Sequence, residues 1–329
     1  MNNIPLTMAC GPYDRTEALR NGQVKMEGVD LTYLPIQWPV EVFSRMLQGS
    51  EFDIAEMSLT HCFVLRALNR FPFVTLPVFM SRLFRHGYIF VNLKSGILSP
   101  KDLEGKRIGV QGYQMTAAVW IRGILQQECG VSFDAVQWVE GGVNVPNTAG
   151  NDVTALRPMK PISMERAGEG KTLSAMLGQG EIDALIGAFV PESFRSNPDV
   201  GRLFPNYRDI ERDYFKKTGI FPIMHALVIR ESLCREHSWL QESVYKACEQ
   251  AKSWAQKQMR FSGSLRYMIP WLLEELEDID ELFDGDPWPY GIEPNRHALE
   301  VFAQYLLDEG FISEPVTLEK IFASGSTPL

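Results

Sequence analysis

Arg82, Arg85 and His86 lie within one five-residue stretch. A guanidinium fork donates two parallel hydrogen bonds to a carboxylate, and an imidazole titrates closer to neutral pH than other side chains. Together they could clamp an organic acid and deliver a proton to it. His225, in an apolar segment, is a second candidate donor. Glu56 ends a short apolar run and could be the carboxyl partner of a histidine or a phenol. Arg15 opens a helix just beyond a strand end, where the helix dipole disfavours a cation; that misfit points to an anionic ligand. Each also has a plainer reading: a solvated basic turn for the arginines, a satisfied structural imidazole for the histidines, and a dipole-stabilised helix-start acid for Glu56.

Residues 99–116 suggest a different kind of anion site. They read as a polar approach, a buried strand over 107–110, a tight turn at Gly112 and a helix from Gln114. The first-turn amides of such a helix lack partners, and its dipole is positive there. Gly112, Tyr113, Gln114, Met115 and Thr116 are therefore candidate contacts for a carboxylate. No Walker lysine follows, and Gly109-x-x-Gly112 is not a dinucleotide fingerprint, so a small carboxylate fits better than a nucleotide. Trp288 and Tyr290 could wall an aromatic ring, or simply pack a proline-rich turn. Trp120 reads as core, and Arg122 as a surface or interlobe residue. Glu56, His61, His86 and His225 could converge on an ion, yet no His-x-x-x-His or His-x-His pair exists, and no metal is expected. A Gly-x-Ser-x-Gly nucleophile elbow is absent as well.

Elements must hold these residues in place. A chain of 329 residues suggests two domains at roughly 100–200 residues each. The net charge of −9 argues against a nucleic-acid partner. Five scattered cysteines without a Cys-x-x-Cys pair fit reduced thiols. No export signal and no membrane-length apolar run is visible, so a cytosolic protein with no membrane partner is expected. Strands are predicted over 4–9, 29–34, 52–55, 74–80 and 88–91, alternating with helices that start at Asp14 as N-cap, at Pro39, and at Ser58 or Thr60. Gly49 is the predicted stop of the second helix. A later block has a helix over 114–129 closed by Gly130, and strands over 136–139 and 182–186. The Gly-, Pro- and Asn-containing segment 141–170 reads as a protruding loop or lid. A strand over 221–229 precedes helices over 237–259, 265–276 and 294–309. The pattern is α/β with two lobes, 1–88 with 222–329 and 89–221, and a ligand cleft between them at the strand ends.

Two sets of residues carry a resemblance. Asp102 to Val110, Asp-Leu-Glu-Gly-Lys-Arg-Ile-Gly-Val, looks like the start of the second lobe of type II periplasmic-binding-protein folds. Tyr13 to Thr16, Glu51 to Ser58, Ser81 to His86, Tyr113 to Leu125, Gly219 to His225 and Asp286 to Ile292 are similar to segments of 4,5-dihydroxyphthalate decarboxylases. These blocks span residues 13–292, and 157–170 departs from them. The resemblance implies a lyase that takes one carboxylate from 4,5-dihydroxyphthalate, giving protocatechuate and CO2. It further implies bacterial aromatic degradation, no organic cofactor and a homo-oligomer, and it strengthens His86 and His225 as proton donors. Two other readings share a carboxylate cleft: a non-catalytic solute-binding protein for an aromatic acid, and another cytosolic lyase of this fold, such as a chorismate-dehydratase-like enzyme. A proton donor set at a reacting carbon would separate enzyme from receptor.

Overall fold

Repeated βα units build two separate sheets. The computed structural model describes residues 3–146 and 155–322. Strands β1 (Ile4–Cys10), β2 (Val29–Pro35), β3 (Ile54–Ser58), β4 (Phe73–Arg82) and β11 (Ile223–Arg230) form the first sheet. Strands β5 (Ile89–Asn92), β6 (Arg107–Val110), β7 (Gln137–Glu140), β8 (Met164–Arg166), β9 (Ala184–Ile186) and β10 (Val200–Arg202) form the second. Their orders are β2-β1-β3-β11-β4 and β10-β5-β9-β6-β7-β8. β3 is buried at every position, as a central strand covered on both faces must be.

Each sheet takes in one strand of opposite direction immediately after the chain crosses over. β5, the first strand after the outward crossing, is antiparallel to both β9 and β10. β11, the first after the return, is antiparallel to both β3 and β4. The returning strand thus lies inside the first sheet, next to the strand that carries Glu56.

The helices are α1 (Asp14–Arg20), α2 (Pro39–Gly49), α3 (Leu59–Ala67), α4 (Thr116–Cys129), α5 (Leu173–Gln179), α6 (Ser193–Ser196), α7 (Tyr207–Thr218), α8 (Glu231–Glu236), α9 (Leu240–Met259), α10 (Leu272–Phe283), α11 (Arg296–Asp308) and α12 (Leu318–Ile321). Pro39 opens α2, where its missing N–H costs nothing. Several boundaries differ from the sequence reading. Tyr13, not Asp14, is the N-cap of α1; the Asp14 carboxylate instead accepts from the Arg15 amide at 2.7 Å. Ser50, not Gly49, takes the left-handed conformation that ends α2, with φ 47°. The helix expected over 265–276 lies further on, as α10, beyond Pro270 and with Glu274 and Glu275 in its first turn, where the dipole favours acids. Within 141–170, residues 147–154 lie outside the described residues. The remainder is not all loop: it holds β8, and the Met159 amide bonds the Gly310 carbonyl at 2.8 Å beyond the end of α11.

α11 joins the two halves. Its Phe302 stacks on Trp120 of α4 at 5.2 Å and meets Phe63 of α3 edge-on at 5.7 Å. Trp120 is fully buried and donates to the Ile223 carbonyl on β11 at 2.9 Å. Gly123 allows this approach, because a Cβ there would overlap the Tyr305 ring. α11, expected with the first lobe, therefore packs against both α3 and α4.

Candidate active site

The site grows from the pairing of β3 with β11. Register sets Glu56 opposite Leu227 and His225 opposite Ser58. A bulge on the other side of β11 brings His225 beside Ser81. In this frame the His225 Nδ1 lies 2.6 Å from the Glu56 Oε1, and the Tyr13 hydroxyl donates to the same oxygen at 2.7 Å. The Gly11 amide donates to Oε2 at 3.1 Å, and the Cys10 thiol lies 3.5 Å from it. The β1 strand end and the turn into α1 thus hold one side of the carboxylate, while β11 holds the other.

Glu56 is wholly buried. An uncompensated buried carboxylate costs several kcal/mol, whereas each hydrogen bond to a charged acceptor returns about 1.5–3 kcal/mol. Burial pushes its pKa up, but hydrogen bonds and charge from His225, with Tyr13 and Gly11, outweigh that and leave it below the usual carboxylate range. Burial and the Glu56 charge both push the Tyr13 phenol up, so Tyr13 remains a donor. A proton on the His225 Nδ1 is the one the ionised Glu56 can accept, and Nε2 is the ring nitrogen turned away from that carboxylate. The ring stays 19% exposed, edge-on to Phe43 at 5.0 Å. The arrangement can hold an imidazolium beside a buried counter-charge and offer its second N–H outward.

The turn predicted to bind an anion meets this cluster. The Thr116 hydroxyl, the first helical residue of α4, lies 3.0 Å from the Ser58 and Thr60 hydroxyls and accepts from the Thr60 amide at 3.2 Å. Ser58 is the residue paired with His225, so the start of α4 lies one strand position from the imidazole. Gln114 is buried beside it, and its Oε1 has no partner. The Met115 amide closes the turn on the Gly112 carbonyl at 3.0 Å. Trp38, before α2, and Phe189, after β9, meet at 5.9 Å and link the two halves by a further aromatic contact.

Other expected site residues are occupied elsewhere. Arg82 is buried, and its fork donates to the Pro289 carbonyl at 2.8 Å and to the Asn295 side chain. Asn295 also holds the Pro289 and Gly291 carbonyls at 2.9 and 2.8 Å. The geometry makes Arg82 an anchor of the 286–291 turn, because Nη2 is spent on Pro289 and Asn295 and Nη1 faces the Phe221 carbonyl, while Nε is buried without a partner. That turn carries Trp288, whose ring lies 4.5 Å from the Arg15 guanidinium and whose Nε1 donates to the Phe79 carbonyl at 2.7 Å. Arg15 is held between Trp288 and the Tyr13 ring, 3.9 Å away on its other side, and donates to the Met80 carbonyl. Its positive charge therefore sits directly behind the tyrosine that binds Glu56.

His86 belongs to a separate cluster at the outward crossing. It packs on Phe204 and Tyr214, with Nδ1 3.9 Å from Glu211. Burial pushes its pKa down to about 4, so it is neutral near pH 7 and poorly suited to donate a proton there. Arg85, buried at the same crossing, lies 5.1 Å from the Tyr88 ring centroid, with Nε and Nη1 unpartnered. Tyr113 is likewise core: its ring meets Trp138 edge-on at 5.2 Å and lies 3.8 Å from the Arg122 guanidinium, while its amide donates to Glu140 at 3.2 Å. Arg122 itself is buried and paired with Glu309 at the end of α11, which agrees with the interlobe alternative and not with the surface one. Sequence reasoning passed over Tyr13, Gly11 and Ser58 as site residues. The Gly11-Pro12-Tyr13 turn at a strand end was the available signal. Among the described residues no three His, Cys, Asp or Glu side chains converge as a metal site needs.

Comparison with known proteins adds a second line of observation. Residues 18–176 match the family model described as NMT1/THI5 like. The 4,5-dihydroxyphthalate decarboxylase of Comamonas testosteroni is 36% identical over 327 residues, covering 99% of this chain and 98% of that protein. The Pseudomonas putida protein of the same name is 38% identical over 217 residues, 66% of this chain and 83% of its own length. Among solved structures, the periplasmic aliphatic sulphonate-binding protein SsuA of Escherichia coli superposes with a TM-score of 0.53 at 11% identity, covering 98% of this chain and 97% of that one. The alkanesulfonate-binding protein SsuA of Xanthomonas axonopodis pv. citri, bound to MOPS, gives 0.51 at 12% identity, covering 98% and 99%. At these identities the structural likeness carries the fold: α/β, two-lobed and periplasmic-binding-protein-like.

Proposed function

The chain belongs to the 4,5-dihydroxyphthalate decarboxylase family, and from that premise we propose that it converts 4,5-dihydroxyphthalate to protocatechuate and CO2 by protonating the ring at the carbon that loses its carboxylate. The observation that carries the mechanism is the 2.6 Å contact between the buried Glu56 and His225. A carboxylate placed at such electrostatic cost is better suited to charging an imidazole than to holding a fold together.

In this reading His225 enters the reaction as the imidazolium. The phenolic oxygen para to the departing carboxylate pushes electron density to the ipso carbon, which takes the proton from Nε2. The C–C bond then breaks, its electron pair restores the aromatic ring, and CO2 leaves. His225, now neutral, recovers one proton from solvent per turnover. Glu56 stabilises the cation through Nδ1–H, and Tyr13 and Gly11 keep Glu56 ionised. The spectator carboxylate is assigned to the α4 N-terminus, with Gln114 as an unspent polar group. Arg15 and Trp288 supply positive charge and an aromatic wall. Residues 1–88 with 222–329, and 89–221, act as two lobes closing on the ring, and α11 ties them together. The five free cysteines fit the reducing cytosol.

The test is turnover of 4,5-dihydroxyphthalate by the purified chain in D2O, with protocatechuate followed by chromatography and NMR. One deuterium at the vacated carbon is expected. Tight binding without product would support the receptor reading instead. Product formation at an undiminished rate by His225→Asn would remove His225 as the acid while leaving the reaction in place.

A further inference from the structure

Trp38 keeps 60% of its surface exposed, although its indole meets the Phe189 ring at 5.9 Å. An indole is among the largest apolar surfaces a side chain carries, and it is ordinarily mostly buried. The two rings are tilted by 44° and not stacked, so the contact does not use up the indole face. Trp38 also caps α2, the helix whose Phe43 lies edge-on to His225 at 5.0 Å.

Both rings follow strand ends that open on the site. β1 lies between β2 and β3 in the first sheet, and β6 lies between β9 and β7 in the second. From each central strand the chain runs to one side first and fills the other side later. Open α/β sheets bind ligands at such a reversal, beyond the carboxyl ends of their strands. Trp38 lies just past β2, where the Ile36 amide donates to the Cys10 carbonyl at 3.1 Å, one residue before the Gly11 amide that holds Glu56. Phe189 lies just past β9, whose last residue, Ile186, pairs with Val110 ahead of the Gly112 turn. Pro39 favours the extended backbone seen at Trp38, φ −100° and ψ 102°. Asn144 pins the chain after Phe189: it donates to the Val190 carbonyl at 3.0 Å and accepts from the Glu192 amide at 2.9 Å. The backbone carrying each ring is fixed, while the indole stays open.

We propose that Trp38 and Phe189 clamp the aromatic ring of an ortho-dicarboxylate, one jaw from each half of the molecule, and that this clamp selects aromatic over aliphatic acids. The inference takes its substrate class from the proposed reaction. The anion-binding turn and the imidazole belong to different halves, so a ligand that touches both spans the junction that this pair also spans. Amide donors at the start of α4 recognise a carboxylate whatever carbon bears it. A π surface discriminates, because offset or edge-on contact rewards a second ring far more than a bare double bond.

Phthalate and maleate both carry two carboxylates held cis on adjacent planar carbons, and only phthalate adds an aromatic ring. Calorimetric titration of the whole chain with each acid reads the clamp without turnover. The wild type should bind phthalate at least about tenfold more tightly than maleate. Trp38→Ala should weaken phthalate by about tenfold or more and leave maleate within about twofold, and Trp38→Phe should recover most of the preference. Phe189→Ala should lower the preference in the same direction. A wild type that does not favour phthalate, an unchanged preference in Trp38→Ala, or a parallel loss of both acids would each overturn the clamp. A wild type that prefers phthalate but forms no protocatechuate from 4,5-dihydroxyphthalate would remove the proposed reaction and leave the clamp standing.

Discussion

The hydroxyls of Thr116 and Ser58 lie 3.0 Å apart, although Ser58 ends a strand of the first sheet and Thr116 opens the helix that follows β6 of the second. This contact is where the anion-binding turn meets the strand pair that carries the dyad. Thr116→Val keeps the side-chain shape but strips partners from Ser58 and from the Thr60 amide and hydroxyl. Each buried polar group left unpaired costs about 1–3 kcal/mol. Urea denaturation should show that loss, and KM for the diacid should rise because the start of α4 is no longer registered against β3. Wild-type stability together with wild-type KM would mean that the contact joins the halves without positioning anything.

Glu56 gives a sharper separation of function from stability. Glu56→Gln retains the side-chain shape and one acceptor oxygen for Tyr13 and His225, but sets its NH2 against the Gly11 amide and removes the charge that holds an imidazolium. We expect kcat to fall about 10²–10⁴-fold, while the midpoint of thermal unfolding stays level or rises because a buried charge has gone. A large loss of stability with modest loss of activity would identify Glu56 as a structural residue.

His86 predicts a pH effect on folding rather than on catalysis. Its folded pKa is depressed by burial to about 4, whereas the unfolded imidazole titrates near 6.5. Between those values the unfolded chain binds the extra proton, so stability is fully present above about pH 6.5 and is lost as pH falls towards 4. The loss is on the order of 3 kcal/mol at about 1.4 kcal/mol per unit. His86→Gln should flatten the stability profile in that window and leave kcat near wild type. An unaltered profile would show that the ring is not buried neutral.

Arg82→Ala should act through the turn it anchors. Loss of its bonds to Pro289 and Asn295 is expected to cost about 2–4 kcal/mol, read by denaturation, with kcat/KM falling less than about tenfold where the protein remains folded. Unchanged stability with a KM raised a hundredfold would return Arg82 to the role of carboxylate clamp.

Gly123→Ala places a methyl group against the Tyr305 ring. Overpacking at a helix contact costs about 1–3 kcal/mol, and Tyr305→Ala in the same chain should recover part of it. Strict additivity of the two substitutions in a double-mutant cycle would show that α4 and α11 do not meet there.

Local physics was the legible part. Gly130 and Gly310 mark real helix ends because both take positive φ, 64° and 78°. The turn at Gly112 was readable from its strand-to-helix pattern, although α4 starts at Thr116 and not at Gln114. Glu56 and His225 were readable as types, but not as a pair: 169 residues separate them, and only the insertion of β11 between β3 and β4 brings them together. Arg82 misleads for the mirror-image reason. A sequence advertises its charge and hides the distant carbonyl and amide oxygens that absorb its donors. The α9–α10 boundary depends on where tertiary packing begins, which periodicity alone does not mark.

The late return of β11 has a consequence for the chain as it is synthesised. Glu56 is made early, but the imidazole that offsets its charge comes only after the whole second sheet has been translated. Until then β3 pairs with β1 alone, and its carboxylate lacks the imidazole. A ribosome-bound fragment ending before residue 223 therefore carries an incomplete sheet and no imidazole at that carboxylate. The same strand completes the first sheet and the Glu56–His225 contact, so a product truncated before β11 lacks both.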